Sequence, residues 1–121
     1  MFVKISEMLA KINRIRRKKD FEIIFKNSKS VKNNLFIFKI ARNNLGLNRF
    51  GFMVSQKVSK KATVRNKIKR RLAEAIRPEM KNIKIGTDLV LIALHGVDKK
   101  EFSEIKEAAI TLLKKAGLLN S

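Results

Sequence analysis

An α+β fold, a two-layer sandwich with elements in the order αβββαβα, is predicted for this chain of 121 residues by three observations. Segments with apolar residues three and four apart, the helical period, are interleaved with short segments whose side chains alternate in polarity, the strand period. Asn-rich turns, single glycines and one proline separate them. One unbroken apolar run, Leu89-Val90-Leu91-Ile92-Ala93-Leu94, suits a strand covered on both faces. Layering follows, because an apolar sheet face and an apolar helix stripe each need a partner.

The first helix is placed over residues 18–26, where Phe21, Ile24 and Phe25 fall at i, i+3 and i+4. Asn27-Ser28-Lys29-Ser30 is a turn, followed by strands over residues 30–33 and 35–41; in the second, Phe36, Phe38 and Ile40 oppose Leu35, Ile37 and Lys39. Asn43-Asn44-Leu45-Gly46 breaks the pattern before a strand over residues 49–55, with Phe50, Phe52 and Val54 on one side and Gly51 and Met53 on the other. A basic helix comes next and is expected to stop at Arg77, because Pro78 disfavours helical backbone in the residue before it. Residues 87–94 hold the apolar run and are expected in mid-sheet. Asp98 and Glu101, three apart, read as an N-cap pair opening a helix through Ala116 with the stripe Phe102, Ile105, Ala109, Leu112, Leu113 and Ala116. Gly117 is its expected stop.

The basic helix is the most informative segment. Residues 57–71, KVSKKATVRNKIKRR, carry eight Lys or Arg and no acid. Val64, Ile68, Leu72, Ala75 and Ile76 share one apolar stripe, and Arg65, Asn66, Lys69, Arg70 and Arg77 fall on the other side. A solvated face is the commoner fate of a charge run, but such faces mix signs to gain i,i+4 pairs, and here no acid appears before Glu74. The imbalance is regional: residues 1–77 hold 22 Lys and Arg against 4 acids, residues 78–121 hold 7 against 6. A formal charge of +19 that would repel itself in a folded domain points to a polyanion, and so to nucleic acid.

Composition bounds the rest. One domain with a real core is expected from 121 residues, 45% of them hydrophobic. The chain has no Cys, so neither disulfides nor thiolate metal sites are available, in keeping with a reducing cytoplasm. Lys4, Glu7 and Lys11 interrupt the apolar residues of the start, unlike a secretory signal, and no run reaches membrane-span length. No membrane and no obligate protein partner are expected. His95 is the single histidine, and its spacing to Asp88 and Asp98 matches no metal-ligand pattern. Asp20 and Glu22 can be imagined placing a Mg²⁺ shared with RNA, but helix capping and the N-terminal dipole account for them more simply. No protein-borne catalytic or metal site is expected.

Three motifs carry a family resemblance: Arg14-Ile15-Arg16 followed by Asp20-Phe21 and Phe25; Gly51-Phe52-Met53-Val54-Ser55 leading through Lys57; and above all Arg65-Asn66-Lys67-Ile68-Lys69-Arg70. From about residue 12 to 117 the chain resembles the bacterial ribonuclease P protein family. The resemblance implies a ribosomal-protein S5 domain 2-like fold with a left-handed βαβ crossover. It also implies an accessory subunit of a ribonucleoprotein endonuclease that removes the 5′ leader of precursor tRNA. Catalysis would rest with the RNA subunit and its Mg²⁺, and the protein alone would bind no cofactor. By similarity Lys57, Lys60, Lys61, Arg65, Asn66, Lys67, Lys69, Arg70 and Arg71 face the catalytic RNA, and Arg14, Arg16, Arg17, Phe21, Phe25 and Lys39 line a cleft for the leader. Arginine forks suit phosphates, and aromatic faces stack unpaired bases without demanding a sequence.

Some positions depart from the family pattern. Ala73 stands, near the centre of the basic face, where another arginine is common, and Lys67 replaces an arginine and so lacks its bidentate fork. Ser28 stands where glycine commonly ends the first helix, with Asn27 as a left-handed substitute. Lys39 lies near a position that is often aromatic. Residues 1–11 read as an extension, with residues 1–7 dispensable, and residues 12–121 as the RNA-binding domain. A structural or ribosomal-type RNA-binding protein without a role in cleavage would share the charge and the helix. A DNA regulator fits less well, because strands and no second helix precede the basic one.

Overall fold

The computed structural model describes residues 14, 15 and 17–120, so the expected extension and Arg16 lie outside the described residues. The elements are α1 Lys18–Asn27, β1 Lys29–Lys32, β2 Phe36–Arg42, β3 Arg49–Met53, α2 Ala62–Ile76, β4 Thr87–Ala93 and α3 Phe102–Lys115, with 3₁₀ turns at Arg77–Asn82 and Val97–Lys99. The order is αβββαβα, as predicted. Four strands form one sheet in the order β1-β2-β4-β3. β2 is antiparallel to β1 and β4, while β3 runs parallel to β4 and reaches it through α2.

The strand periods decide what each face buries. Phe36, Phe38 and Ile40 of β2 and Leu89, Leu91 and Ala93 of β4 point toward α2 and α3, where Ile68, Leu72, Ile76, Ile105, Leu112 and Leu113 complete the main core. Fully burying one such side chain contributes roughly 1.5–3 kcal/mol, so this layer dominates stability. β4 is buried at every position but Ile92, as its unbroken apolar run requires. The sheet and the α2/α3 pair are the two layers. α1 sits on the opposite face, where its Ile24 joins Ile15 and Val90, with Phe21, Ala41 and Ile92 half-buried around them. Arg14 pairs in parallel with Phe50, and the Ile15 amide donates to the Phe50 carbonyl at 2.9 Å, covering part of the free edge of β3.

Two helix ends and one helix face depart from expectation. Asn27 is helical, not left-handed: its Nδ2 donates to the Ile23 carbonyl at 3.0 Å, and Ser28 is extended. The strand β1 begins at Lys29, so the chain must leave α1 straight. Asp98 and Glu101 do not cap α3 through their side chains. Gly96, at φ +96°, and fully buried Val97 commit residues 97–99 to a 3₁₀ turn, and Asp98 Oδ1 is buried there without a hydrogen-bond partner among the described residues. Ala73 is not on a basic face; it is fully buried. α2 packs against α3, β3 and the 3₁₀ turn after it, so its buried arc extends beyond the predicted stripe.

Two other ends follow the sequence. Pro78 lies in the first turn of the 3₁₀ segment, where its missing N–H leaves no bond unmade. At Gly117, φ +69°, α3 closes with Gly117 N–H donating to the Lys114 carbonyl at 3.0 Å and Leu118 N–H to that of Leu113 at 3.2 Å. That paired closure seats Leu118 in the core.

Candidate nucleic-acid interface

Two surfaces carry the predicted site residues. The first is α2 with the loop before it. Val58 is buried and fastens that loop to the core, the Ser55 and Ser59 hydroxyls accept from the Lys57 and Lys61 amides, both at 3.2 Å, and Arg65 Nη1 donates to the Ser59 carbonyl at 2.9 Å. His95, at the end of β4, places Nδ1 3.3 Å from the Lys57 carbonyl, a structural contact. The loop therefore presents exposed Lys57, Lys60 and Lys61 from a pinned backbone.

On α2 itself, Asn66, Lys67 and Arg77 are exposed, and Arg65, Lys69, Arg70 and Arg71 are half-buried. At 3.6 residues per turn, Lys69 and Arg71 lie about 160° apart around the axis, on the two flanks of the exposed arc. The predicted set is thus brought together as an arc and not as a narrow stripe. Among the described residues, Lys57, Lys60, Lys61, Arg65, Lys67, Lys69 and Arg71 form no ion pair, so their charge is unspent.

The second surface lies on the α1 side of the sheet. Phe21 is half-buried and Phe25 is 40% exposed, with ring centroids 6.3 Å apart and planes at 54°. A groove of about 350 Å³ at the end of β3 is lined by Phe21, Phe52, Met53, Val54, Ser55, Lys69 and Ile92. Lys69 therefore reaches the groove from α2 and joins the two surfaces. Periodicity places it with the first surface only, and Met53, Ser55 and Ile92 carry no sequence signal for a groove, because the sheet edge that unites them forms from distant segments.

The remaining residues of the leader set are dispersed. Lys39 lies on the α1 side of β2 and donates to Ser30 Oγ at 2.6 Å. Arg17 is exposed at the N-cap of α1. Arg14 is half-buried at the β3 edge, its Nε buried without a hydrogen-bond partner among the described residues.

One polar cluster has no local mark in the sequence. Arg49 and Asp88 are cross-strand partners on β3 and β4: Nε donates to Asp88 Oδ1 at 2.8 Å and Nη2 to Oδ2 at 2.7 Å. Asn43 Nδ2 also donates to Oδ1, at 2.7 Å. The hydrogen bonds to Asp88 hold the Arg49 guanidinium above its usual range, against the opposing effect of burial. Asp88 is thereby satisfied within the fold, and no group of three or more His, Cys, Asp or Glu among the described residues is arranged to hold a metal ion. No described helix is long and apolar enough to cross a membrane.

Uncompensated cations on a pinned helix beside an aromatic groove define an α+β protein built to hold a polyanion. The family model for ribonuclease P matches residues 9–117. A Clostridium botulinum ribonuclease P protein component is 41% identical over 111 residues, covering 91% of this chain and 99% of that protein. The structure of the Staphylococcus aureus RNase P protein superposes with a TM-score of 0.83 at 30% identity, covering 89% of this chain and 98% of that one; the Thermotoga maritima RNase P protein gives 0.76 at 34%, covering 84% and 96%. The chain belongs to the ribonuclease P protein family. It is the protein subunit of an endoribonuclease holoenzyme that acts in tRNA 5′ maturation, and its partner is the ribonuclease P RNA.

Proposed function

We propose that the two surfaces divide the RNA between them. α2 and residues 57–61 hold the catalytic RNA through phosphate contacts, and the groove with Phe21 and Phe25 takes the single-stranded 5′ leader of precursor tRNA. The observation that carries this reading is the 40% exposure of Phe25 on a helix whose neighbouring turn lines an apolar groove ending in Lys69. An exposed ring offers a π-face to any unpaired base, and Lys69, which lines the groove with Phe21, suits a phosphate. No side-chain acid or base is assigned a role in bond cleavage, which on this reading belongs to the RNA subunit with Mg²⁺; the protein contributes binding and orientation.

The test is the affinity of the reconstituted holoenzyme for precursor and mature tRNA. Phe25→Ala is expected to weaken precursor binding by about 1–3 kcal/mol and leave mature tRNA unchanged, because only the precursor presents unpaired 5′ nucleotides. Equal losses for both tRNAs, or a collapsed melting temperature, would return Phe25 to a structural role. Reconstitution of leader cleavage at low Mg²⁺, with and without this chain, separates this reading from that of an RNA-binding protein without a role in cleavage.

A further inference from the structure

α1 has little to hold it. Ten residues are too few for a stable isolated helix, and of its side chains only Ile24 is buried. Its position over the sheet rests on a small cluster in which Ile24 and Phe21 meet Ile15, Ala41, Val90 and Ile92, on the Phe21 ring against Gly51, and on an ion pair at its first turn. The Phe21 contact is close: a Cβ at Gly51 would stand 2.8 Å from Phe21 Cε1 and 3.4 Å from Ile15 Cβ. The ring thus lies directly on the backbone of β3.

The ion pair is next to it. Arg49 spends Nε and Nη2 on Asp88, whose side chain is 5% exposed, and turns Nη1 to Asp20 Oδ2 at 3.7 Å. Asp88 is fixed in turn by the side chain of Asn43, whose backbone N–H donates to the Gly86 carbonyl at 2.8 Å. Arg49 is therefore a rigid post on the sheet, and Asp20, adjacent to Phe21, is the side chain of α1 tied to it.

We infer that Asp20 and Arg49 are positioning residues for leader binding: the immobilised guanidinium anchors the first turn of α1 and so sets where Phe21 and Phe25 lie. This rests on the leader reading above. If loss of the anchor lowers the fraction of molecules with α1 in place, apparent precursor affinity falls by that fraction. A partly exposed pair sets this docking equilibrium by about two- to fivefold, which is the loss of affinity expected for a marginally docked α1.

The experiment uses the reconstituted holoenzyme, with precursor and mature tRNA, and amide exchange on the free protein. Asp20→Asn is expected to weaken precursor binding about two- to fivefold, leave mature tRNA and RNA-subunit affinity unchanged, and speed exchange in α1. Simple electrostatics gives the opposite sign, since removing an acid from a +19 chain should tighten both RNAs. Asp20 also sits well in the helix dipole, and a double-mutant cycle separates that effect. Arg49→Lys keeps a partner for Asp88 but lacks the third nitrogen, so Asp20→Asn should add nothing in that background. An Asp20→Asn effect undiminished by Arg49→Lys overturns the proposal, as does an unchanged ratio of precursor to mature affinity. If Phe25→Ala changes that ratio and Asp20→Asn does not, the anchor alone has failed. If Phe25→Ala leaves it unchanged, the leader reading has failed and the positioning role falls with it.

Discussion

Replacing Ala73 by arginine decides between two orientations of the basic helix. By family comparison an arginine at 73 adds a phosphate contact; in the structure Ala73 has no exposed surface. A guanidinium there must either enter the packed layer around α2 or force the helix aside. Leaving a buried charge without a partner costs about 3–5 kcal/mol. A domain of this size loses roughly 4 °C of melting temperature per kcal/mol, so Ala73→Arg is expected to melt about 12–20 °C lower. Thermal denaturation followed by circular dichroism measures this directly, with Asn66→Arg as the companion. Asn66 is exposed on the same helix, so that variant should keep the parent melting temperature and bind the RNA subunit more tightly. An Ala73→Arg protein that melts normally and binds RNA more tightly would refute the burial of this flank and restore the predicted face.

Three further outcomes are expected. Lys67→Ala should leave the fold intact and reduce the slope of log affinity against log salt by roughly 0.7–0.9, read from titrations at several salt concentrations; an unchanged slope would remove Lys67 from the phosphate contacts. Asp88→Ala strips Arg49 of its bidentate partner in a mostly buried setting and should cost about 3–5 kcal/mol in urea unfolding, whereas a loss below about 1 kcal/mol would make the pair incidental. Gly117→Ala meets no steric neighbour but must hold φ +69°, so a destabilisation of about 1–2 kcal/mol is expected, and none if α3 can end another way.

What the sequence made legible was set by periodicity. Phe36, Phe38 and Ile40 alternate because one sheet face is dry, and β4 is apolar from Leu89 to Ala93 because α1 covers part of its other face. The basic loop and helix were equally plain, since a run without acids is a local property. Ala73 was misplaced because period fixes the direction of a helix's buried side, not its width, and the width here depends on α3, a separate segment. The Asp98 turn was misread because a capping pair and a 3₁₀ turn share the same residue types, and burial of Val97 chose between them. Arg49 and Asp88 stand 39 positions apart, and nothing local marks either as the other's partner. The one visible hint was an arginine and an aspartate each placed at the start of a predicted strand.

The strand order has a consequence for how the chain assembles. β4, the last strand in sequence, lies between β2 and β3, so neither has its inner neighbour until residues 87–93 have left the ribosome. Synthesis at roughly 5–20 residues per second leaves a period of seconds in which the charge-rich first two thirds is already out, bearing its cations and two unpaired strand edges. Its mutual repulsion then opposes the pairing of β2 and β3 with each other, or with another nascent copy. The nearly neutral remainder supplies both the strand that fills the gap and α3, which seals the core. The strand that closes the sheet and the helix that seals the core thus lie in the nearly neutral third of the chain, and most of the cations in the two thirds made before it.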